Sequence, residues 1–117
     1  MYPLFYDNTE VQVMSYFLVK VCIYTGEYEK SSTSFVKADN QKDAADTAIY
    51  GESHSPESLD WSNQVVEDMG GEFLYSINSI IEVQPCDVDA LERYLTLYYH
   101  DAEELASSGN YLQQEAA

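Results

Sequence analysis

The chain has 117 residues, of which 21 are Asp or Glu and 5 are Lys or Arg, so its formal net charge is −16. This length fits a single domain, and a hydrophobic content of 45% allows a buried core without disulfide bonds. Such an acidic surface repels phosphates, which argues against direct binding to nucleic acid or to an anionic membrane and favours basic partners.

The first elements in chain order are an N-terminal extension and a β-hairpin. Residues 1–13 mix aromatic and polar side chains without a clear period, and Met14 could serve as an alternative start. Residues 16–24 alternate apolar side chains with mixed ones, which is typical of a half-buried strand. Residues 25–27 supply a turn, and residues 31–38 are predicted to be the second strand of the hairpin.

Two helices and a third strand are expected next. Asp39 and Asn40 are good helix-starting residues, which predicts a helix over about 41–50. Pro56 suits a first helical position and predicts a second helix that ends at Gly70 and Gly71. The buried stripe of this helix would consist of Leu59, Val65, Val66 and Met69. Residues 73–83 alternate again and are predicted to form the third strand.

The last predicted element is a long helix over about 88–107, with Asp87 as its N-cap. Its apolar side chains recur at three- and four-residue steps and would line one face: Val88, Leu91, Leu95, Tyr98, Ala102 and Leu105. The order ββααβα predicts an α+β domain over 14–112, with a three-stranded antiparallel sheet and about three helices on one face. Residues 113–117 are expected to fray.

The sequence contains no nucleotide-binding loop motif and no catalytic motif. His54 and His100 are far apart in sequence, and Cys22 and Cys86 are expected to be reduced and to lack a zinc-binding pattern. We therefore expect no catalytic residue, no metal and no cofactor. A small-ligand or enzymatic role would require a deep pocket with a histidine beside a carboxylate.

The carboxylates are the main candidates for a binding surface. Spread evenly over roughly 6,000–6,500 Å², sixteen charges average about one per 400 Å², several times sparser than B-DNA, so imitation of DNA requires clustering on one face. Tyr99 is a further interface candidate, because tyrosine is enriched in protein interfaces. The candidate partner-binding residues are Glu27, Glu29, Asp43, Asp46, Asp60, Glu67, Asp68, Tyr99, Asp101, Glu103 and Glu104.

In size, acidity, its content of 11 tyrosines and its lack of catalytic motifs, the chain resembles small phage- and plasmid-encoded inhibitors of host defence. These include anti-CRISPR proteins and DNA-mimic antirestriction proteins, and the resemblance is one of composition without signature residues. It implies a non-catalytic inhibitor, active in the host cytoplasm, that blocks a basic nucleic-acid-binding protein or ribonucleoprotein complex. The alternative is an adaptor or homodimeric interaction protein that binds through a tyrosine-rich apolar surface.

Overall fold

The computed structural model describes residues 15–111, so the expectations for 1–13, Met14 and 113–117 lie outside the described residues. This part of the chain contains five strands, three α-helices and three short 3-10 turns. The strands are β1 (Ser15–Thr25), β2 (Tyr28–Ala38), β3 (Val66–Asp68), β4 (Phe73–Glu82) and β5 (Leu97–Tyr99). The helices are α1 (Gln41–Glu52), α2 (Val88–Glu92) and α3 (Ala102–Ala106). The predicted α+β character is confirmed.

The predicted hairpin is confirmed as the centre of the sheet. β1 and β2 pair in antiparallel register along their whole length, from Ser15 opposite Ala38 to Thr25 opposite Tyr28. The turn between them has two residues, and Gly26 adopts the positive φ of 62° that a type II′ turn requires at its first position. β2 begins at Tyr28, which is earlier than the predicted start at residue 31.

The sheet has five strands in the order β3-β4-β1-β2-β5, and β5 is parallel to β2 while the other pairs are antiparallel. The expectation of three antiparallel strands is therefore wrong in detail. The two additional strands are short edge strands that come from segments predicted to be helical. Their backbone groups gain hydrogen bonds from β4 and β2, which compensates for the loss of helical bonds.

Helix α1 covers one face of the sheet and is confirmed. Asn40 caps it, because its side-chain oxygen accepts a hydrogen bond from the Asp43 backbone N–H at 2.8 Å. The odd-numbered residues of β1 point towards this helix and are buried. Small residues on the helix allow close packing against them, and the core on this side includes Phe17, Val19, Val21, Ile23, Ala44, Ala48 and Ile49.

The predicted second helix is wrong. Only Pro56–Ser58 forms a short 3-10 turn, and the chain then runs irregularly to β3. Leu59 and Val66 are buried as expected, but from a loop and a strand, whereas Val65 and Met69 are exposed. The 3-10 turn Met69–Gly71 contains the two glycines that were expected to end a helix.

The single long C-terminal helix is also wrong, because α2 and α3 are separated by β5. Tyr98 is consequently 49% exposed on an edge strand instead of buried on a helical stripe. Helix α2 borders an open groove of about 440 Å³ together with Leu18 and Ile81, which alternate away from the α1 side of the sheet. The helices therefore do not all pack on one face. Among residues 15–111, no helix has the length and hydropathy to cross a membrane.

The C-terminal part of the described chain completes the core. Leu105 and Tyr111 are buried in the same cluster as Leu59 and Trp61. The Trp61 indole N–H donates to Ser108 Oγ at 3.0 Å, and its ring contacts Tyr111 edge to face at 5.0 Å. These contacts close the side of α1 that the sheet leaves open.

Candidate binding surfaces

Four predicted carboxylates from two segments meet near the N-termini of α1 and α3. His100 connects the segments: its backbone N–H donates to the Lys37 carbonyl at 3.0 Å, and its Nε2 lies 3.7 Å from an Asp43 carboxylate oxygen. The parallel pairing of β5 with β2 ends at Lys37 and Tyr99, and Asp39, which was not among the candidates, and Asp101 each follow two residues after that pair. The resulting α1–α3 acidic surface consists of Asp39, Asp43, Asp101, Glu103 and Glu104.

Two helix N-termini stabilise this concentration of negative charge. Asp101 caps α3, since one of its carboxylate oxygens accepts from the backbone N–H groups of Glu103 at 3.0 Å and Glu104 at 3.3 Å. The positive end of a helix dipole favours carboxylates in its first turn. Local stabilisation therefore explains how the carboxylates are tolerated together, while their outward surface remains negative.

Lysine and arginine do not neutralise the α1–α3 acidic surface. Within residues 15–111, none of its five carboxylates lies within ion-pair distance of a lysine or arginine side chain. Lys42 is engaged with Asp46 at 2.7 Å, and its Nζ lies 5.4 Å from the centre of the Tyr111 ring. Of the five carboxylates, Asp43 is half-buried and the others are exposed. Their charge is therefore available to a partner.

Asp68 was expected to be an exposed partner-binding carboxylate, and this is wrong. Its exposure is 0%, and its carboxylate accepts hydrogen bonds from the His54 N–H at 2.7 Å, from Ser58 Oγ and from the Tyr75 hydroxyl, both at 2.9 Å. The Ser55 N–H is a fourth, longer donor at 3.4 Å. Asp68 therefore joins the loop before β3 to the sheet and cannot reach a partner.

These contacts also determine the protonation of Asp68 and Tyr75. Burial alone would raise the pKa of Asp68, but its hydrogen bonds from His54, Tyr75, Ser58 and Ser55 outweigh this effect and hold the pKa below its ordinary value. The pKa of Tyr75 is raised above its ordinary value, first by burial and then by its hydrogen bond to Asp68. Asp68 remains charged and Tyr75 remains a donor near neutral pH.

Asp46 is a second correction. Its side chain is buried in the core side of α1, where it accepts from the Tyr111 hydroxyl at 2.9 Å and pairs with Lys42. The sequence indicated an exposed position because Asp46 lies among polar residues of an amphipathic helix. The contact with Tyr111, which is 65 residues away in sequence, could not be foreseen from that local pattern.

The remaining candidate carboxylates are exposed or half-buried but lie elsewhere. Asp60 accepts from Ser62 and Asn110, and these hydrogen bonds, with the Ser62 side chain first, lower its pKa. Its backbone forms an isolated bridge with that of Glu67. Glu27 and Glu29 lie at the hairpin turn, about 33 Å along β2 from the α1–α3 acidic surface. The structure therefore does not unite all the candidates on one face.

The side of the sheet that faces away from α1 has a different character. Lys37 lies between two aromatic rings, with its Nζ 5.2 Å from the centre of Tyr16 and 5.8 Å from that of Tyr99. Lys20 alternates onto the same side. Tyr99 is 60% exposed, which agrees with its expected position on the surface. We call the residues Tyr16, Lys20, Lys37 and Tyr99 the tyrosine face.

The two histidines have structural contacts. The His54 ring stacks on Phe73 at 4.1 Å, and His100 Nδ1 lies 3.1 Å from Thr47 Oγ1. The Thr47 hydroxyl donates its proton to the Asp43 carbonyl at 2.8 Å, so this proton is not available for a hydrogen bond to His100. In the described part of the chain, no group of three or more His, Cys, Asp or Glu side chains is arranged to hold a metal ion.

Comparisons with protein-family models, with curated proteins and with solved structures found no match. The α1–α3 acidic surface and the tyrosine face therefore have to be interpreted from their own chemistry. The first combines dense negative charge with ordered helix ends. The second combines aromatic rings with lysine, so the two surfaces favour different kinds of partner.

Proposed function

We propose that this chain is a non-catalytic inhibitor that binds a basic nucleic-acid-binding protein or ribonucleoprotein complex. The observation that supports the proposal is the α1–α3 acidic surface, where five carboxylates lie at or next to the N-termini of two helices without an ion pair to a lysine or arginine among the described residues. Its carboxylates would stand in for phosphates and pair with lysine and arginine side chains of the target.

The local charge density supports this comparison with nucleic acid. Asp101, Glu103 and Glu104 lie at the start of α3, and His100, which precedes Asp101, has its Nε2 3.7 Å from an Asp43 carboxylate oxygen in α1. Sixteen charges spread evenly would average only about one per 400 Å². A local concentration of carboxylates is what imitation of the closely spaced phosphates of B-DNA requires.

Neutralisation of this surface should weaken binding selectively. We expect the fourfold variant D39N/D43N/E103Q/E104Q, which retains the capping residue Asp101, to lose about 30-fold in affinity, because four exposed pairs of roughly 0.5 kcal/mol each sum to about 2 kcal/mol. The matched variant E57Q/E72Q/E82Q/E92Q changes the net charge equally at exposed positions outside the surface. It should lose less than about threefold.

The measurement begins with a pull-down from nuclease-treated cell lysate at ~0.1 M salt, followed by salt-step elution and mass spectrometry. Affinities of the captured protein for both variants are then determined by titration, with duplex DNA as a competitor. A basic nucleic-acid-binding protein that elutes with salt and is displaced by DNA supports the proposal. Equal losses in both variants, or a complex that persists in half-molar salt, contradict it.

A second candidate function is that of an adaptor or a homodimeric interaction protein. The observation that favours it is the exposure of several tyrosines, among them Tyr28 at 79% and Tyr94 at 82%. Tyrosine provides a large and fairly rigid contact area together with a hydroxyl group. If this function is correct, substitution of Tyr99 and Tyr24 weakens partner binding more than the loss of four carboxylates does.

A further inference from the structure

The outer edge of β2 is unpaired over much of its length. β1 pairs with β2 from Tyr28 to Ala38, but β5 pairs only with Phe35, Val36 and Lys37. Within residues 15–111, no strand lies beside β2 between Tyr28 and Ser34. An unpaired edge presents a row of backbone donors and acceptors that can hydrogen-bond to another extended chain.

The register identifies which backbone groups point outward. Thr25 and Tyr28 close a two-residue hairpin, so the even-numbered residues of β2 exchange hydrogen bonds with β1. The odd-numbered residues point the other way, and Lys37 confirms this, because its carbonyl accepts from the His100 N–H on the β5 side. The outward groups of the unpaired edge therefore belong to Glu29, Ser31 and Thr33.

Carboxylates flank this edge on both faces of the sheet. The Glu29 side chain alternates onto the side away from α1. On the α1 side, Glu52 accepts a hydrogen bond from Ser32 Oγ at 2.7 Å, so its carboxylate lies beside the middle of the edge. Lys30 is the cation within the strand, Lys20 lies opposite Thr33 on the same side as Glu29, and Glu27 in the turn adds a third carboxylate to Glu29 and Glu52. The local balance is negative.

We infer that the β2 edge between Tyr28 and Ser34 is a docking site for an extended, lysine- or arginine-bearing segment of a partner protein, which pairs with it as an additional strand. The inference rests on the proposed function for the basic character of the partner. Main-chain hydrogen bonds supply affinity in this mode of recognition, and alternate side chains supply specificity. Side chains on one face of the added strand meet Glu29, and those on the other face meet Glu52.

Charge also argues against a second copy of the chain at this edge. Two copies paired antiparallel about Ser31 would place Glu29 of each opposite Thr33 and Lys30 of each opposite Ser32, which is bonded to Glu52, so it is the net charge and not the local pairs that opposes a second copy. A second copy would also bring another formal charge of −16 into contact with the first. A basic segment has the opposite effect, because each lysine or arginine reduces the local repulsion.

The first test uses three capped nine-residue peptides and residue-specific amide exchange measured by NMR. One peptide contains lysine on both faces of an extended chain and threonine elsewhere. The second has the same sequence with alternate backbone nitrogens methylated, so that it keeps its charge but cannot pair with a strand edge. In the third, glutamine replaces lysine.

At saturation, the lysine peptide should slow amide exchange of Glu29, Ser31 and Thr33 by about tenfold or more. The methylated and glutamine peptides should bind at least about tenfold more weakly. If the methylated peptide binds equally well, or if the lysine peptide binds without protecting these amides, edge pairing is excluded while a basic partner remains supported. If the glutamine peptide protects them equally, the edge binds extended chains but the basic occupant is wrong.

The second test places proline at an outward-facing position. Ser31→Pro removes a donor that does not take part in the pairing of β1 with β2, which is the position where a strand tolerates proline. We expect S31P to bind the lysine peptide at least about tenfold more weakly and the control S31A to stay within about twofold. Thermal unfolding verifies that both variants fold. Equal binding by folded S31P, or concentration-dependent protection of these amides without peptide, overturns the inference.

Discussion

Replacement of Asp68 by alanine should lower the free energy of unfolding by about 3–5 kcal/mol, because it removes a buried charge that four donors surround. The His54 N–H would lose its acceptor, and the buried Tyr75 hydroxyl would keep only the Glu52 carbonyl at 3.3 Å. Urea unfolding followed by the fluorescence of Trp61 measures the effect. The neighbouring substitution Glu67→Ala, at a half-buried position on the same strand, serves as control and should cost less than about 1 kcal/mol.

The same carboxylate should contribute to the pH dependence of stability. The pKa of Asp68 is lower in the folded state than its ordinary value, so its contribution is fully present above a pH of about 4 and is lost as the pH falls through the folded-state pKa. The stability difference between the native chain and D68N should therefore shrink below pH ~4. A difference that stays constant down to the acid transition, or a cost of D68A below 1 kcal/mol, contradicts this role.

The second large effect is expected at Gly109. An alanine Cβ at this position would lie 1.5 Å from the Leu59 carbonyl oxygen, and the φ of 41° already disfavours a side chain. Because the obstacle is backbone, the segment on both sides of Gly109 would have to move away from Leu59, and the contacts of Trp61 with Ser108 and Tyr111 would be lost. We expect a loss of at least about 4 kcal/mol, which is a large fraction of the roughly 5–15 kcal/mol by which a folded domain is usually stable.

Gly51→Ala is the matched control for Gly109→Ala. Gly51 lies within α1, and a Cβ there meets no atom within 4 Å. Alanine should stabilise the helix by about 0.5–1 kcal/mol, since glycine loses more conformational freedom on folding. Thermal unfolding of both variants measures whether G51A stabilises the domain while G109A destabilises it. If G109A unfolds within a few degrees of the native chain, the close approach to Leu59 is not a constraint.

The sequence predicted those elements whose signals are local. The signals for β1, β2 and α1 are alternation, a short turn and helix-starting residues, and all three elements were found, although the turn is shorter than predicted and β2 begins at Tyr28 instead of residue 31. The third strand was predicted at 73–83 and is observed at Phe73–Glu82. In each case, the residues that determine the element are neighbours along the chain, so periodicity and capping are informative.

The two long helices failed because apolar spacing alone does not exclude a strand. Tyr98 fits the helical stripe, but Tyr98 and Tyr99 are aromatic residues that also favour strands, and pairing with β2 decides the outcome. One signal was available: Asp101 followed by Glu104 is the pattern of a helix start, and Asp101 is indeed the N-cap of α3. That pattern argues against a helix that runs through residue 101.

The candidate site was predictable only in part. Exposure of Asp101, Glu103 and Glu104 follows from helix-start chemistry, whereas their meeting with Asp43 depends on the parallel pairing of β5, which is a long-range contact. The burial of Asp46 and Asp68 depends on the hydroxyl groups of Tyr111 and Tyr75. Single-sequence patterns contain no information on such side-chain partners, which are 65 and 7 residues away along the chain.

The position of Tyr111 in the core has a consequence for synthesis of the protein on the ribosome. Leu105 and Tyr111 pack against α1 and Trp61, which the ribosome releases much earlier. Chains emerge at about 5–20 residues per second, so the hairpin and α1 are free for several seconds before these closing residues appear. During that interval Trp61 and Leu59 lack their cover, and the nascent chain exposes an apolar surface that a chaperone could recognise.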